Sequence, residues 1–177
     1  MHIECQLNKQ LKPFQHNALA RLSTAVYPPH LFKDRPKPPM QWAEKQWSLL
    51  IWEGKELVSL VGMLVREGTL NGRSLLMGGI GSVKTHPEAR GRGYAGVGME
   101  KAAVFLRDEQ QVDISVLFCR QALFTYYQRF GWQPFAGDVF AEQLEGRTRF
   151  SFNETMVLSG QRVALQTGVL DLCGKPW

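Results

Sequence analysis

The sequence predicts one α/β (α+β) domain spanning residues 1–177. Strand-like and helix-like runs share the chain, with no internal repeat and no low-complexity segment. Two hairpin signals, "EGK" at Glu53–Lys55 and the dipeptide Asn71-Gly72, tie apolar runs into an antiparallel meander. After the meander come a β-like run, a glycine-rich loop and a helix-like run, in that order. A chain of 177 residues suits one domain with a full core.

The elements follow in order. "IECQLN" (3–8) reads as a first strand. "FQHNALARLSTAVY" spaces its apolar residues as a helix does. "PPHLFKDRPKPPM" holds five prolines between Pro28 and Pro39, which no helix or ladder tolerates. That loop is either a plain connector or a stiff wall of a binding site. "WSLLIWEGKELVSLVGMLVRE" and "LNGRSLLMGGIGSV" supply the three strands of the meander. Gly78, Gly79 and Gly81 weaken the last of these, so a bulge or a close approach by another backbone or a ligand is expected there. A helix over 93–107, a buried strand in "VDISVLFC" and a short helix in "ALFTYYQRF" come next. The tail from Thr148 to Trp177 reads as two more strands, with a turn at Ser159-Gly160.

Composition narrows the function classes. The chain is 44% hydrophobic and 21% charged, ordinary for a globular protein. No apolar run approaches the roughly 18 residues of a membrane span. The N-terminal segment has no apolar stretch behind its charges, so no secretory signal and a cytoplasmic location are expected. Cys5, Cys119 and Cys173 are too widely spaced for a metal or redox pair, and they read as reduced thiols. "NET" at Asn153 is a chance glycosylation match without a secretory route. The net charge of +5 fits an anionic ligand such as a nucleotide cofactor. It also fits weak nucleic-acid binding, but the chain has no long basic run and no zinc spacing.

"EARGRGYAG" (88–96) places two arginines and three glycines at the strand-to-helix turn. A helix N-terminus exposes unpaired N–H groups and a partial positive charge, which together attract anions. Glycines let successive amides face one phosphate, and Arg90 and Arg92 add charge. The loop lacks the "GK[ST]" of a P-loop and the spacing of the dinucleotide fingerprint.

"VKTHPEARGRGYA" resembles the acetyl-coenzyme-A signature of the GNAT superfamily of N-acetyltransferases. That signature is Arg or Gln, two residues, Gly, one residue, then Gly or Ala; Arg90, Gly93 and Ala95 fill those places. About 35 residues on, "YYQRFGW" (126–132) resembles the family's second signature. The match covers roughly Leu75 to Phe135. The resemblance implies a twisted mixed sheet flanked by helices, whose two central parallel strands splay apart to admit acetyl-coenzyme A. It implies a pyrophosphate site on the amides of Gly91, Arg92, Gly93, Tyr94 and Ala95, with Arg90 beside them. It further implies that the backbones of Val83 and Thr85 pair with the pantetheine arm.

Acetyl transfer to an amine needs a neutral amine, a held oxyanion and a protonated leaving thiolate. An alkyl ammonium of pKa about 10.4 is neutral only about one part in a thousand at pH 7, a deficit of roughly 4–5 kcal/mol that a base or a desolvating site must offset. The Val83 amide is the expected oxyanion donor. Tyr127, four residues before Gly131, matches the family's tyrosine acid, whereas Tyr126 is five before. Many members carry a glutamate base where this chain has Gly81, and no Asp or Glu occurs from Gly68 to Pro87. The ending "LDLCGKPW" resembles the Trp-terminated tail of aminoglycoside 2′-N-acetyltransferases, which makes the carboxylate of Trp177 the expected base. Asp171, Glu154 and His86 are the weaker candidates.

The expected function is direct transfer from acetyl-coenzyme A to a primary amine of a small molecule or amino sugar. No metal, nucleic acid or membrane is expected as a partner, and a homodimer is compatible with the sequence. Acetylation of a peptide N-terminus or lysine, and a non-catalytic acyl-coenzyme-A-binding module, are the alternatives. The proline loop, the tail, Trp42 and Trp47 are the expected acceptor walls.

Overall fold

The computed structural model describes residues 1–31 and 40–177. Ten strands form one mixed sheet among them. β1 (His2–Leu7), β2 (Trp47–Glu53), β3 (Glu56–Leu70) and β4 (Arg73–Thr85) are antiparallel neighbours in sequence order. β5 (Ile114–Cys119) runs parallel to β4, with β9 (Glu154–Ser159) and then β6 (Gln133–Pro134) antiparallel beyond it. The edge of β3 opposite β4 is divided. Residues Glu56–Met63 pair with β2, and the far end pairs with β10 (Val169–Asp171). β7 (Asp138–Gln143) and β8 (Gly146–Arg149) extend the sheet past β10.

Local chemistry explains the main elements. α1 (Pro13–Val26) starts with proline at its first position, and Gln15 Oε1 accepts from the Lys12 N–H at 2.8 Å. Glu4 on β1 ties α1 to β2, accepting from Gln15 Nε2 at 2.9 Å and Trp52 Nε1 at 2.8 Å. The β3–β4 hairpin turns at Asn71 and Gly72, both at positive φ, as the dipeptide foretells. α2 (Tyr94–Val104) opens on Gly93 and gives way to a π-helical turn at Phe105–Glu109. The expected helix over 93–107 thus changes its winding at Phe105, where Phe105 and Leu106 are both buried.

The tail holds the two expected strands, β9 and β10, and the sheet adds the β7–β8 hairpin, in which Val139 and Ala141 alternate with more exposed neighbours and Gly146 supplies the turn at φ +97°. The chain turns after Ser159 as expected, but β10 does not return beside β9. The amides of Gly160, Gln161 and Arg162 donate to the carbonyls of Asp113 and Val112, so the segment is tied to the start of β5 instead.

Side chains on the two faces of the sheet build different layers. Leu49, Ile51, Val61, Met63 and Ile80 pack with α2 residues such as Met99 and Ala102. On the opposite face Leu50, Trp52 and Leu60 pack against Ala18 and Leu22 of α1. Farther along the sheet, Leu75, Met77, Val116 and Leu170 form a separate cluster that Phe118, Trp42 and Trp177 flank.

Candidate active site

The sheet forks at its centre. β4 and β5 pair from Met77↔Ile114 to Ile80↔Leu117 and no further. β4 continues along β3 as far as Thr85, so Gly81–Thr85 have no strand partner on the β5 side among the described residues. Just past the fork the register changes. Leu60 faces Lys84 and Gly62 faces Gly81, so two steps on β3 span three on β4. The extra residue is a bulge, with Ser82 at φ +53°, a value non-glycine residues adopt sparingly. A bulge bends its strand, which here accompanies the departure of β4 from β5. The expectation of a bulge among the strand glycines is thereby met.

Beyond β4 the loop reaches α2. Gly91 and Gly93 have φ of +79° and +83°, and nothing lies within 4 Å of where a Cβ would sit on either. Glycine is required here by conformation, and the space in front of it is open. Arg90 is exposed and donates from Nε to the Thr85 carbonyl at 3.4 Å. Arg92 pairs with Glu53 at 3.1 Å, both half exposed. Such a surface pair is worth about 0–1 kcal/mol, a weak competitor for a polyanion. The ring of Tyr94 is buried in the α2-side core, which confines its part in an anion cradle to its backbone. Ala95 is part-buried in the first turn of α2. On the unpaired stretch of β4, Val83 packs at the edge of the same core, and Thr85 Oγ1 lies 2.9 Å from Ser59 Oγ.

Tyr127 lies on α3 (Phe124–Gln128), follows the end of β5 and is only 7% exposed. Its hydroxyl makes none of the hydrogen bonds found among the described residues, and burial pushes its pKa up to about 12, with Cys119 and Tyr126 adding to the rise. Tyr126 is more exposed and lies against Phe130 and Arg129. Burial, with a contribution from Glu154, pushes the Cys119 thiol up to about 11. All three cysteines are free thiols.

The tail returns to the fork. The Trp177 indole covers Gly79: a Cβ there would lie 2.6 Å from ring atom Cδ2 and closer still to Cε2. Trp177 Nε1 donates to the Val116 carbonyl at 3.2 Å, and Val116 is the β5 partner of Gly79. Phe118 and Arg66 hold the ring from the sides, with centroid distances of 5.3 and 5.6 Å. The carbonyl of Pro176 accepts from the Ala43 N–H at 2.6 Å. The backbone carbonyl carbon of Trp177 then lies 3.2 Å from where a Cβ on Gly81 would be. The backbone of Trp177 thus stands beside the strand position that lacks a carboxylate side chain. The other base candidates are placed differently. Asp171 is ion-paired with Arg147 and accepts from the Cys173 amide, His86 caps a short turn through the Glu88 amide at 3.4 Å, and Glu154 faces Cys119 across β9 and β5.

A cavity of about 310 Å³ opens on this face, lined by Lys45, Gly62, Gly79, Gly81, Ser82 and Trp177, with Asn8 and Glu44 also on its wall. Sequence reasoning missed Lys45, which has no motif around it. Only Gly62 hinted at its place, because the Lys45 stem runs where a side chain at 62 would be, 2.7 Å from that Cβ position. Trp42 and Trp47 are not among the lining residues. Trp47 packs on Phe105, and Trp42 packs on Phe150 and Phe152. The proline loop, expected as a wall, falls largely outside the described residues. Among the described residues no His, Cys, Asp and Glu cluster could hold a metal ion, and no helix is long and apolar enough to cross a membrane.

Known proteins share this fold. The profile of the acetyltransferase (GNAT) domain matches residues 9–135. A search of curated proteins gives no match. Among solved structures, an acyl-CoA N-acyltransferase from Pseudomonas aeruginosa is similar at a TM-score of 0.59 and 20% identity, over 89% of this chain and 99% of that one. Escherichia coli ElaA is similar at 0.60 and 19%, over 88% and 97%. A GNAT family acetyltransferase from Brucella melitensis, solved with acetyl-CoA, is similar at 0.57 and 15%, over 96% and 94%. At these identities the structures speak for the shared fold, while the profile covers well over half of the chain. The chain belongs to the GNAT acetyltransferase family, whose members are acyl-coenzyme-A-dependent N-acyltransferases.

Proposed function

We propose that this protein transfers an acetyl group from acetyl-coenzyme A directly to a primary amine of a small molecule or amino sugar. The observation that carries the reading is the fork between β4 and β5, with a positive-φ glycine loop open at one end and the Trp177 backbone beside Gly81 at the other. Acetyl-coenzyme A, when bound, supplies the thioester-activated acetyl group. The amides of Gly91–Ala95 with Arg90 and Arg92 hold its pyrophosphate, and the backbones of Val83 and Thr85 align its pantetheine arm. The Val83 amide donates to the carbonyl oxygen as negative charge develops there.

Tyr127 stays protonated throughout the physiological range because its pKa is near 12. Passing its proton outright to a free thiolate of pKa about 8.5 would be uphill by about 3.5 pH units, roughly 5 kcal/mol. Its role is therefore to donate a hydrogen bond to the sulfur as the C–S bond breaks, and the thiolate takes its proton from solvent as the product leaves. Cys119, raised to about 11, is a thiol at neutral pH and a poor nucleophile, which favours direct transfer over an acetyl-cysteine route. In a chain that ends at Trp177, the terminal carboxylate orients the amine and accepts its proton as the nitrogen attacks and grows acidic.

The test is thiol release from acetyl-coenzyme A by the purified protein with a panel of amines, amino sugars and peptides. Stimulation by small amines supports the reading. Stimulation by peptides alone moves the acceptor to a protein, and cofactor binding without release with any panel member reduces the protein to a binding module.

A further inference from the structure

Resting on that reading, we propose that the acceptor is a small primary amine that also carries a carboxylate or phosphate, and that Lys45 receives this anionic group. The cavity beside Trp177 is at the small end of the roughly 300–1,000 Å³ typical of ligand sites, so its occupant is small. Its two charged ends are set by the backbone. Gly62 and Gly81 face one another across β3 and β4. The Lys45 stem lies over the first and the backbone carbonyl of Trp177 beside the second. A cation and a backbone oxygen, a carboxylate in a chain that ends at Trp177, therefore approach the same cavity from neighbouring strand positions, and a ligand with an amine at one end and an anion at the other matches both. Its amine faces Trp177 and its anion faces Lys45.

Lys45 also has no ionic partner among the described residues. It is part-buried. Its neighbour Lys84, on the same face, repels it; Lys84 Nζ is turned to Ser23 Oγ at 3.0 Å and the Tyr27 ring. Burial lowers the pKa of both lysines. Keeping a desolvated ammonium uncompensated is unfavourable, and an anion on the ligand would relieve it. Glu44 on the same wall is exposed, where water screens its charge.

The experiment measures kcat and KM on matched acceptor pairs: β-alanine against its methyl ester, and glucosamine 6-phosphate against glucosamine. In the parent protein, at least one anionic member should exceed its neutral partner at least tenfold in kcat/KM, chiefly through KM. The pair that shows the preference separates carboxylate from phosphate. In Lys45→Met the ratio should fall to near one, and Lys45→Arg should restore part of it. Stabilisation by acetyl-coenzyme A should survive in both variants, which shows that they fold. A parent that acetylates neutral partners as fast as anionic ones overturns the proposal and leaves the transferase reading intact. So does a Lys45→Met variant whose two rates fall in step, because Lys45 is then a structural residue. Acetylation of no small amine in the panel overturns both.

Discussion

Gly79→Ala tests the junction of tail and fork through the sign of its effect. In an ordinary strand this change is favourable, because glycine costs about 0.5–1 kcal/mol relative to alanine. Here the new methyl would lie 2.6 Å from Trp177 Cδ2 and 2.7 Å from Nε1. Non-bonded carbons prefer about 3.5–4.0 Å, so the indole must retreat by about 1 Å or more. Phe118, Arg66 and the Val116 carbonyl hold the ring where it is, so retreat loosens all three contacts. Overpacking of this kind costs about 1–3 kcal/mol. Gly79→Ala should therefore destabilise the full chain and stabilise a chain lacking Trp177. The four proteins of this cycle, unfolded in urea at constant m, should give a coupling of at least about 1.5 kcal/mol. The same displacement moves the Trp177 backbone at Gly81, and about 1 Å of misplacement in a site can reduce turnover on the order of 10²-fold. A coupling below about 0.5 kcal/mol, with Gly79→Ala stabilising in both backgrounds, would refute the packing of Trp177 on Gly79.

Four further outcomes are expected. Tyr127→Phe should lower kcat on the order of 10²-fold with acetyl-coenzyme A affinity nearly unchanged, while Tyr126→Phe should be mild; steady-state kinetics decide, and the reverse pattern would exchange their roles. The folded-state pKa of Tyr127, near 12, exceeds the ordinary value of 10.0, so its contribution to stability is complete below pH 10 and is lost as pH rises toward 12; urea titrations should show that alkaline decline weakened in Tyr127→Phe. Saturating acetyl-coenzyme A at one hundred times Kd should stabilise the parent by about 2.7 kcal/mol, and Gly93→Asp, which places a carboxylate in the open loop, should abolish that shift in a thermal-melt assay. One glycine appended after Trp177 displaces the carboxylate by about 3.5 Å and should suppress acetylation while cofactor binding persists; unchanged turnover would assign the base to water or to a side chain such as Glu154.

Much of the sheet was legible because its signals are local. The expected β1 and α1 lie within one residue of His2–Leu7 and Pro13–Val26, and Asn71-Gly72 fixed a hairpin through a conformation that few dipeptides adopt. Other features depend on partners distant in sequence. Residues 160–162 contain nothing that forbids a returning strand; the carbonyls of Val112 and Asp113 draw them elsewhere. β8 is exposed along its whole length, so it lacks the alternation that marks a half-buried strand. Its partner β7 does alternate, with Val139 and Ala141 buried between more exposed neighbours.

The strand glycines show where sequence reading stops and geometry begins. Gly62, Gly79 and Gly81 look alike in the sequence, as interruptions of apolar strands. In the fold each reserves space for a different group: the Lys45 stem, the Trp177 indole and the Trp177 backbone. A missing glutamate on β4 and a tryptophan at residue 177 are separate curiosities until the tail is seen to cross the fork. Together they have one physical reading. In a chain that ends at Trp177 that backbone group is a carboxylate, and a carboxylate side chain at position 81 would occupy the same space, while an indole needs a bare backbone at 79 to reach it. The glycines and Trp177 should therefore be functionally interchangeable with a strand carboxylate only as a set. Gly81→Glu alone would put two acids in one place, and the chain lacking Trp177 alone would leave none. Gly81→Glu in the chain lacking Trp177 is the combination expected to recover acetylation.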